Sequence, residues 1–298
     1  MFKSLLIATN CRDGLQRFGK CLEELHLNGI ERVAFVHSIA WQDDDIGLPE
    51  DITPAVQAQQ ARLQEVLSAI PGGLEVKVLV QAGKAVDLIL KGIQTYSSDL
   101  LITGMGIHNL LTEKLFGSTT VELLPKLTIP LLVMRPQLLA VFTLEELRLR
   151  SRHLLRSLLV PFDFEEPRRQ LLERLGQLLP GTSQCQSVTL LYVVDPSARR
   201  NQGMAVEVLK RKAEADLAQV IGPLNEQVQP LQVRAQVRVG SPLQEILATA
   251  AAEDVTAIAT ASPRVGSFWE WSVRSLTGEI LRQSWHPVLF FPRGSLAQ

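Results

Sequence analysis

The chain repeats itself, and that repetition restricts its fold more than any single motif does. Arg238-Val239-Gly240-Ser241-Pro242-Leu243 matches the stretch around Gly83, with Gly240 opposite Gly83. Ala257-Ile258-Ala259-Thr260 matches Leu100-Leu101-Ile102-Thr103, and His286-Pro287-Val288-Leu289 matches Ile129-Pro130-Leu131-Leu132. All three matches share one offset of 157 residues. Val188–Val194 likewise matches Val33–Ile39. Ser157–Pro161 matches Leu5–Thr9, with Asp163 opposite Asn10 at an offset of 153. A chain of 298 residues has room for two domains of ordinary size, and a register kept over so many landmarks implies two copies of one.

Within each copy, apolar runs alternate with helical patterns. In the first, strands are expected at Leu5–Thr9, Arg32–Ile39, Leu74–Val80, Asp99–Thr103 and Ile129–Met134. Between them lie helical patterns at residues 15–28, with Leu15, Phe18, Leu22 and Leu25 on one face, and at residues 55–69, Gly83–Thr95 and Thr119–Lys126. Strand–helix alternation argues for parallel strands joined by right-handed crossovers. The expected fold is therefore α/β, with two doubly wound domains, each built on a five-stranded parallel sheet. The boundaries read as 1–137 for the first domain, 138–156 for a helical connector carrying Leu144, Leu147, Leu154 and Leu155, and 157–298 for the second.

Charge and cysteine usage narrow the function classes. The 30 Lys and Arg are matched by 31 Asp and Glu, so bulk electrostatics argue against a nucleic-acid or anionic-membrane binder. The densest basic cluster, Arg148, Arg150, Arg152 and Arg156, has Glu145 and Glu146 beside it. Cys11, Cys21 and Cys185 have neither metal-ligand nor disulfide-framework spacing. The five histidines show no metal spacing either. The first apolar run is too short for a signal peptide, and no uncharged run approaches a membrane span. These features point to a reducing cytoplasm.

The stretch with most chemical content starts at Leu100. An apolar strand breaks off in Thr103-Gly104-Met105-Gly106, and Gly117-Ser118-Thr119-Thr120 then opens a helical pattern. Glycine lets backbone approach a ligand closely. Gly-Ser-Thr at a helix start offers hydroxyls and free N–H groups suited to an anion such as a nucleotide phosphate. The same residues also read as a strand end, a surface loop and an ordinary helix cap. His37 and His108 lie near the same edge. Trp269 and Trp271, with Phe268, lie in the matching part of the second copy.

With these residues in view, the chain resembles the universal stress protein family in its tandem form, over nearly its whole length apart from the connector. Nucleotide-binding members of that family carry an Asp at the end of strand one and Gly-x2-Gly-x9-Gly-(Ser/Thr) after strand four. In the first copy Gly104 and Gly117-Ser118 fit that pattern. Ile107 stands at the second glycine, with Gly106 one place early, and Asn10 replaces the Asp. In the second copy Asp163 is present, but Ala261, Arg264 and Arg274 stand where the three glycines belong, followed by Ser275. The resemblance implies an adenine nucleotide, such as ATP with or without Mg²⁺, held in the first domain by Asn10, Gly104, Gly106, Gly117, Ser118 and Thr119. Asp163 is the matching residue of the second domain. It also implies a stress-response switch or partner-binding module with an unidentified protein partner, an internal pseudo-dimer of the two copies, and room for a homodimer. A scaffold that binds no nucleotide is the alternative, favoured by Asn10 and Ile107. A slow ATPase ranks last, because no base, metal ligand and nucleophile gather around Asp163.

Overall fold

The computed structural model describes residues 1–39, 52–67, 69–105, 118–198, 201, 203–229, 231–261 and 275–296. It clusters into two compact units that divide between His153 and Leu154.

The first unit contains strands β1 (Ser4–Ala8), β2 (Arg32–Ile39), β3 (Glu75–Ala82), β4 (Leu100–Gly104) and β5 (Leu131–Met134). They lie in the order β3-β2-β1-β4-β5 and pair in parallel. The central strands are continuous apolar runs because both faces are covered: Leu5, Leu6, Ile7, Leu101 and Ile102 are at most 1% exposed. The helices are α1 (Leu22–Leu27), α2 (Thr53–Val66), α3 (Ala85–Thr95) and α4 (Ser118–Leu123). α3 buries Val86, Ile89 and Ile93 along one stripe. It comes so close to the sheet that a Cβ on Gly92 would lie 3.2 Å from both Leu6 Cδ1 and Val36 Cγ2.

The second unit repeats the plan with β6 (Ser157–Pro161), β7 (Ser187–Val194), β8 (Gln232–Val239), β9 (Ala257–Ala261) and β10 (Val288–Phe291), in the order β8-β7-β6-β9-β10. Its helices are α7 (Glu166–Leu178), α8 (Val206–Gln227), α9 (Pro242–Ala252) and α10 (Leu276–Gln283). Corresponding strands are offset by 153 at β1 and β6, by 155 at β2 and β7, and by 157 at the remaining three pairs. The second copy is thus two residues longer in each of its first two crossovers, the ones that contain α7 and α8.

The helix expected over residues 15–28 is broken into a 3₁₀ turn at Leu15–Lys20 and the short α1. Gly19 and Cys21 are poor helix formers at the break. Gly19 is needed where it stands: a Cβ there would lie 3.0 Å from Leu67 Cδ2 and 3.3 Å from the Val66 carbonyl. The equivalent α7, rich in Leu, Arg, Gln and Glu, runs unbroken for 13 residues.

The segment between the copies forms two helices, α5 (Pro136–Val141) and α6 (Leu144–Arg152). Both pack on the first unit. The Arg17 guanidinium donates to the carbonyls of Leu139 and Phe142. Arg148 pairs with Glu24 at 3.4 Å, and Arg150 stacks over the Phe142 ring at 4.2 Å. Thr143 opens α6 with a reciprocal cap: its Oγ1 accepts from the Glu146 N–H, and Glu146 Oε2 accepts from the Thr143 N–H at 2.7 Å. Among the described residues, no helix is long and apolar enough to cross a membrane.

Candidate functional site

In a sheet ordered 3-2-1-4-5, strand order reverses between strands one and four, and ligands of open parallel sheets sit outside the carboxyl ends at that reversal. Asn10 follows β1 and Gly104 ends β4, and the two strands are hydrogen-bonded neighbours with Ala8 opposite Thr103. The topology therefore brings these two expected residues to one edge. α4 begins at Ser118, and Thr119 is half-buried. Gly106, Ile107, His108 and Gly117 lie outside the described residues.

The loop after β1 is organised by Asp13, which the sequence reading passed over. Its carboxylate accepts from Thr9 Oγ1 at 2.6 Å, from the Asn10 N–H at 3.0 Å and from the Leu15 N–H at 3.0 Å. Thr9 Oγ1 in turn accepts from the Cys11 N–H at 2.9 Å. The signal was present in the sequence as Thr-Asn-x-x-Asp-Gly, a turn composition in which a short carboxylate bonds nearby backbone. Asn10 is exposed, and its Oδ1 accepts from the Arg12 N–H at 2.8 Å. The side-chain oxygen expected to meet a ribose is thus already the acceptor of an Asx turn. Cys11 takes a left-handed φ of 60°, and Gly14 takes one of 77°.

Gly104 has a packing role as well. A Cβ there would meet Pro136 Cγ at 3.1 Å, Asp13 Cβ at 3.2 Å and Leu15 Cδ1 at 3.5 Å. The absent side chain lets the β1 loop and the start of α5 close over the end of β4. His37 donates from Nδ1 to the Thr9 carbonyl at 2.9 Å, which ties β2 to the end of β1. Cys11 Sγ lies 3.8 Å from the same nitrogen. Burial pushes the Cys11 thiol above its usual range, against a smaller opposing effect of a hydrogen bond with Gln59, so it stays protonated at neutral pH.

The second unit builds the same turn. Asp163 Oδ1 accepts from the Glu165 N–H at 3.1 Å, and Phe164 takes φ 64°. Arg168, itself buried, brings its Nε to 3.6 Å from the Asp163 carboxylate. At the start of α10, Ser275 accepts from the Gly278 N–H at 3.1 Å as a helix cap. The buried hydroxyls of Thr260 and Thr277 bond each other at 3.1 Å. Arg264, Phe268, Trp269, Trp271 and Arg274 lie outside the described residues. Among the described residues no group of His, Cys, Asp and Glu is placed to hold a metal ion.

Two α/β units of one topology, each with its strand reversal flanked by an Asx turn, define a tandem doubly wound protein of the type that offers ligands a carboxyl-edge crevice. The universal stress protein family model matches residues 1–135 and again 155–292, so the chain belongs to that family, in tandem form. Its fold is shared by a universal stress protein from Archaeoglobus fulgidus DSM 4304, at 17% identity and TM-score 0.63, covering 98% of this chain and 96% of that one. It is shared by a putative universal stress protein from Pseudomonas aeruginosa UCBPP-PA14, at 13% identity and TM-score 0.56, covering 99% and 95%. A functionally unknown protein from Pseudomonas aeruginosa PAO1 gives 13% identity and TM-score 0.58, covering 99% and 95%. No curated protein matches the chain by sequence.

Proposed function

We propose that the first unit binds an adenine nucleotide at the β1/β4 reversal and that the chain works as a cytoplasmic stress-response switch or partner-binding module. The observation that carries the reading is the adjacency of Asn10 and Gly104 at neighbouring carboxyl ends. The Gly117-Ser118-Thr119 sequence at the start of α4 supports it. On this reading the phosphates lie along Gly104, Gly106 and Gly117, with the hydroxyls of Ser118 and Thr119 donating to them. Asn10 faces the ribose with its amide N–H groups, since its oxygen serves the turn. Nucleotide occupancy then biases the segment 104–120, which a protein partner senses. The second unit, with Asp163 held against Arg168, is the structural or regulatory half.

The test is to denature purified full-length chain, identify any released small molecule by mass, and titrate ATP, ADP and AMP with and without Mg²⁺. Bound adenine nucleotide, lost in Gly117→Asp, supports the reading. Absence of both co-purified and added nucleotide binding overturns it. The scaffold alternative is favoured by one observation: Asp13, Leu15 and Pro136 already crowd the face of Gly104 where a side chain would stand. Retention of a protein partner by a chain that binds no nucleotide would establish it.

A further inference from the structure

The second unit holds a cavity of about 940 Å³ between α7 and α8, on the sheet face that these helices cover. Arg169, Leu172 and Glu173 line it from α7, and residues from Leu209 to Gln227 line it from α8. At one end the Gln227 side chain reaches across to α7, where a Cβ on Gly176 would lie 2.7 Å from its Oε1. At the other end the cavity reaches Asp163, Phe164 and Tyr192 at the strand ends. The two crossovers that frame it are the two that are longer in this copy.

The geometry points to a binding site for an uncharged, flat aromatic small molecule that carries hydrogen-bond donors, lodged in this α7–α8 cleft. The inference goes beyond the nucleotide reading of the first unit, and the cleft shares with the nucleotide pattern only Asp163 of the second unit.

Size selects a small molecule. The α8 wall from Leu209 to Gln227 is about 27 Å long at 1.5 Å per residue. The volume is of the size that ligand pockets have, roughly 300–1,000 Å³. Ring chemistry selects an aromatic body. The Phe164 and Tyr192 rings lie 5.3 Å apart at 48°, and Phe162 packs edge-on against Phe164 at 4.9 Å. Arg169 Nε fixes the platform by donating to the Phe164 carbonyl at 3.0 Å. Leu172, Ala213 and Val220 supply apolar wall.

Charge selects against an anion. Asp163, Glu173 and Asp216 line the cleft against Arg169 and Lys212, and buried Arg168 stands behind Asp163. The lining sets three carboxylates against two cations, so a phosphate or carboxylate finds no net attraction and a donor finds carboxylate acceptors. Pro223 adds another acceptor: lacking an N–H, it leaves the Gln219 carbonyl without its helical donor on the wall where both residues line the cleft.

The test uses N-phenyl-1-naphthylamine, an uncharged amine with three aromatic rings, and its sulfonated analogue 8-anilinonaphthalene-1-sulfonate, with the full chain. We expect saturable one-to-one fluorescence enhancement by the neutral probe and at least about tenfold weaker binding of the sulfonate. Val220→Trp, which narrows the cleft midway along its α8 wall, should weaken neutral-probe binding at least about tenfold while the thermal melt is kept. Glu173→Lys with Asp216→Lys, both at partly exposed positions, should reverse the preference, and this arm decides should Val220→Trp fail to fold. ATP should not displace the probe. Non-saturable binding, an equal or greater affinity for the sulfonate in the unmodified chain, or displacement by ATP would each overturn the inference. Failure of nucleotide binding alone would leave it standing.

Discussion

Replacing Asp13 with Ala should cost the first unit about 3 kcal/mol, because one carboxylate holds three donors of the β1 loop. The three bonds run from Thr9 Oγ1 at 2.6 Å, the Asn10 N–H at 3.0 Å and the Leu15 N–H at 3.0 Å. A bond to a charged acceptor is worth roughly 1.5–3 kcal/mol when shielded. Asp13 is only half-buried and Asn10 is exposed, so about 1 kcal/mol for each bond is the better figure. Asp13→Asn, with its carbonyl in the place of Oδ1, keeps the bonds from Thr9 and Leu15 and turns its NH₂ toward the Asn10 N–H alone, for about a third to a half of the loss. Urea unfolding followed by circular dichroism measures both. With a slope of about 2 kcal/mol per molar urea, the Ala variant should move the first unit's midpoint down by about 1.5 M and the Asn variant by less than about 1 M. Hydrogen exchange assigns the affected transition to the residues between Phe2 and His153. An Ala variant within about 0.25 M of the parent chain would refute the reasoning and would show that packing around Gly14 and Leu15, rather than the carboxylate, shapes the loop.

Three further outcomes follow from burial and capping. Burial raises the Cys21 thiol to about 11 and the Cys185 thiol to about 12, so stability is fully present below the ordinary thiol value of 9.0 and is lost as pH rises through these folded values. Unfolding free energy should therefore fall above about pH 9 by up to about 1.4 kcal/mol per pH unit per thiol, and neither cysteine should react with iodoacetamide at pH 8 until urea is added. Thr143→Ala removes the reciprocal cap of α6 and should cost about 1 kcal/mol, read as faster exchange of the amides at residues 145–147. Gly19→Ala should lower stability by about 1–2 kcal/mol, because its Cβ meets the Val66 carbonyl at 3.3 Å as well as Leu67. Gly176→Ala meets only the mobile end of Gln227 and should be nearly neutral by the same urea assay.

The parts of the fold that were readable in the sequence are those that the sheet buries on both faces. Leu5–Ile7, Val33–Val36, Leu100–Ile102 and their counterparts are continuous apolar runs because no strand face meets water, and the repeat then cross-checked each run against its copy. The β3 and β8 edges were readable from the repeat and their flanking glycines rather than from hydrophobicity, since residues such as Glu75, Lys77 and Arg234 are exposed or half-buried there. Helix continuity was less readable. Leu15, Phe18, Leu22 and Leu25 keep a helical spacing across a break at Gly19–Cys21, because the 3₁₀ turn and α1 bury the same side. The placement of Asn10 and Gly104 at neighbouring strand ends was readable because strand-end position is a local property. Asp13 was missed because its importance lies in three bonds to neighbouring backbone and hydroxyl groups that no spacing rule announces. The α7–α8 cleft was not readable at all, since it arises from how far two helices stand apart.

The two β-strand-end turns also bear on how much weight a strand-end Asp deserves. Asn10 and Asp163 differ in charge, yet each accepts from the N–H two residues on, at 2.8 and 3.1 Å, and each is followed by a residue with φ near 60°. An amide and a carboxylate serve that turn equally well, because the turn asks only for a short side-chain acceptor. The charge that distinguishes them has Arg168 3.6 Å away in the second unit, so Asp163 is not an isolated carboxylate there. Residue type at this position therefore does not by itself separate the two units on the proposed nucleotide reading. The ranking passes to the segments that follow β4 and β9, where glycine in one copy stands against arginine in the other. Gly117→Asp in the first copy, with Arg264→Gly and Arg274→Gly together in the second, is the exchange that separates the two contributions. If binding tracks these loops and ignores Asn10→Asp, the strand-end residue is a turn former first and a ligand contact second.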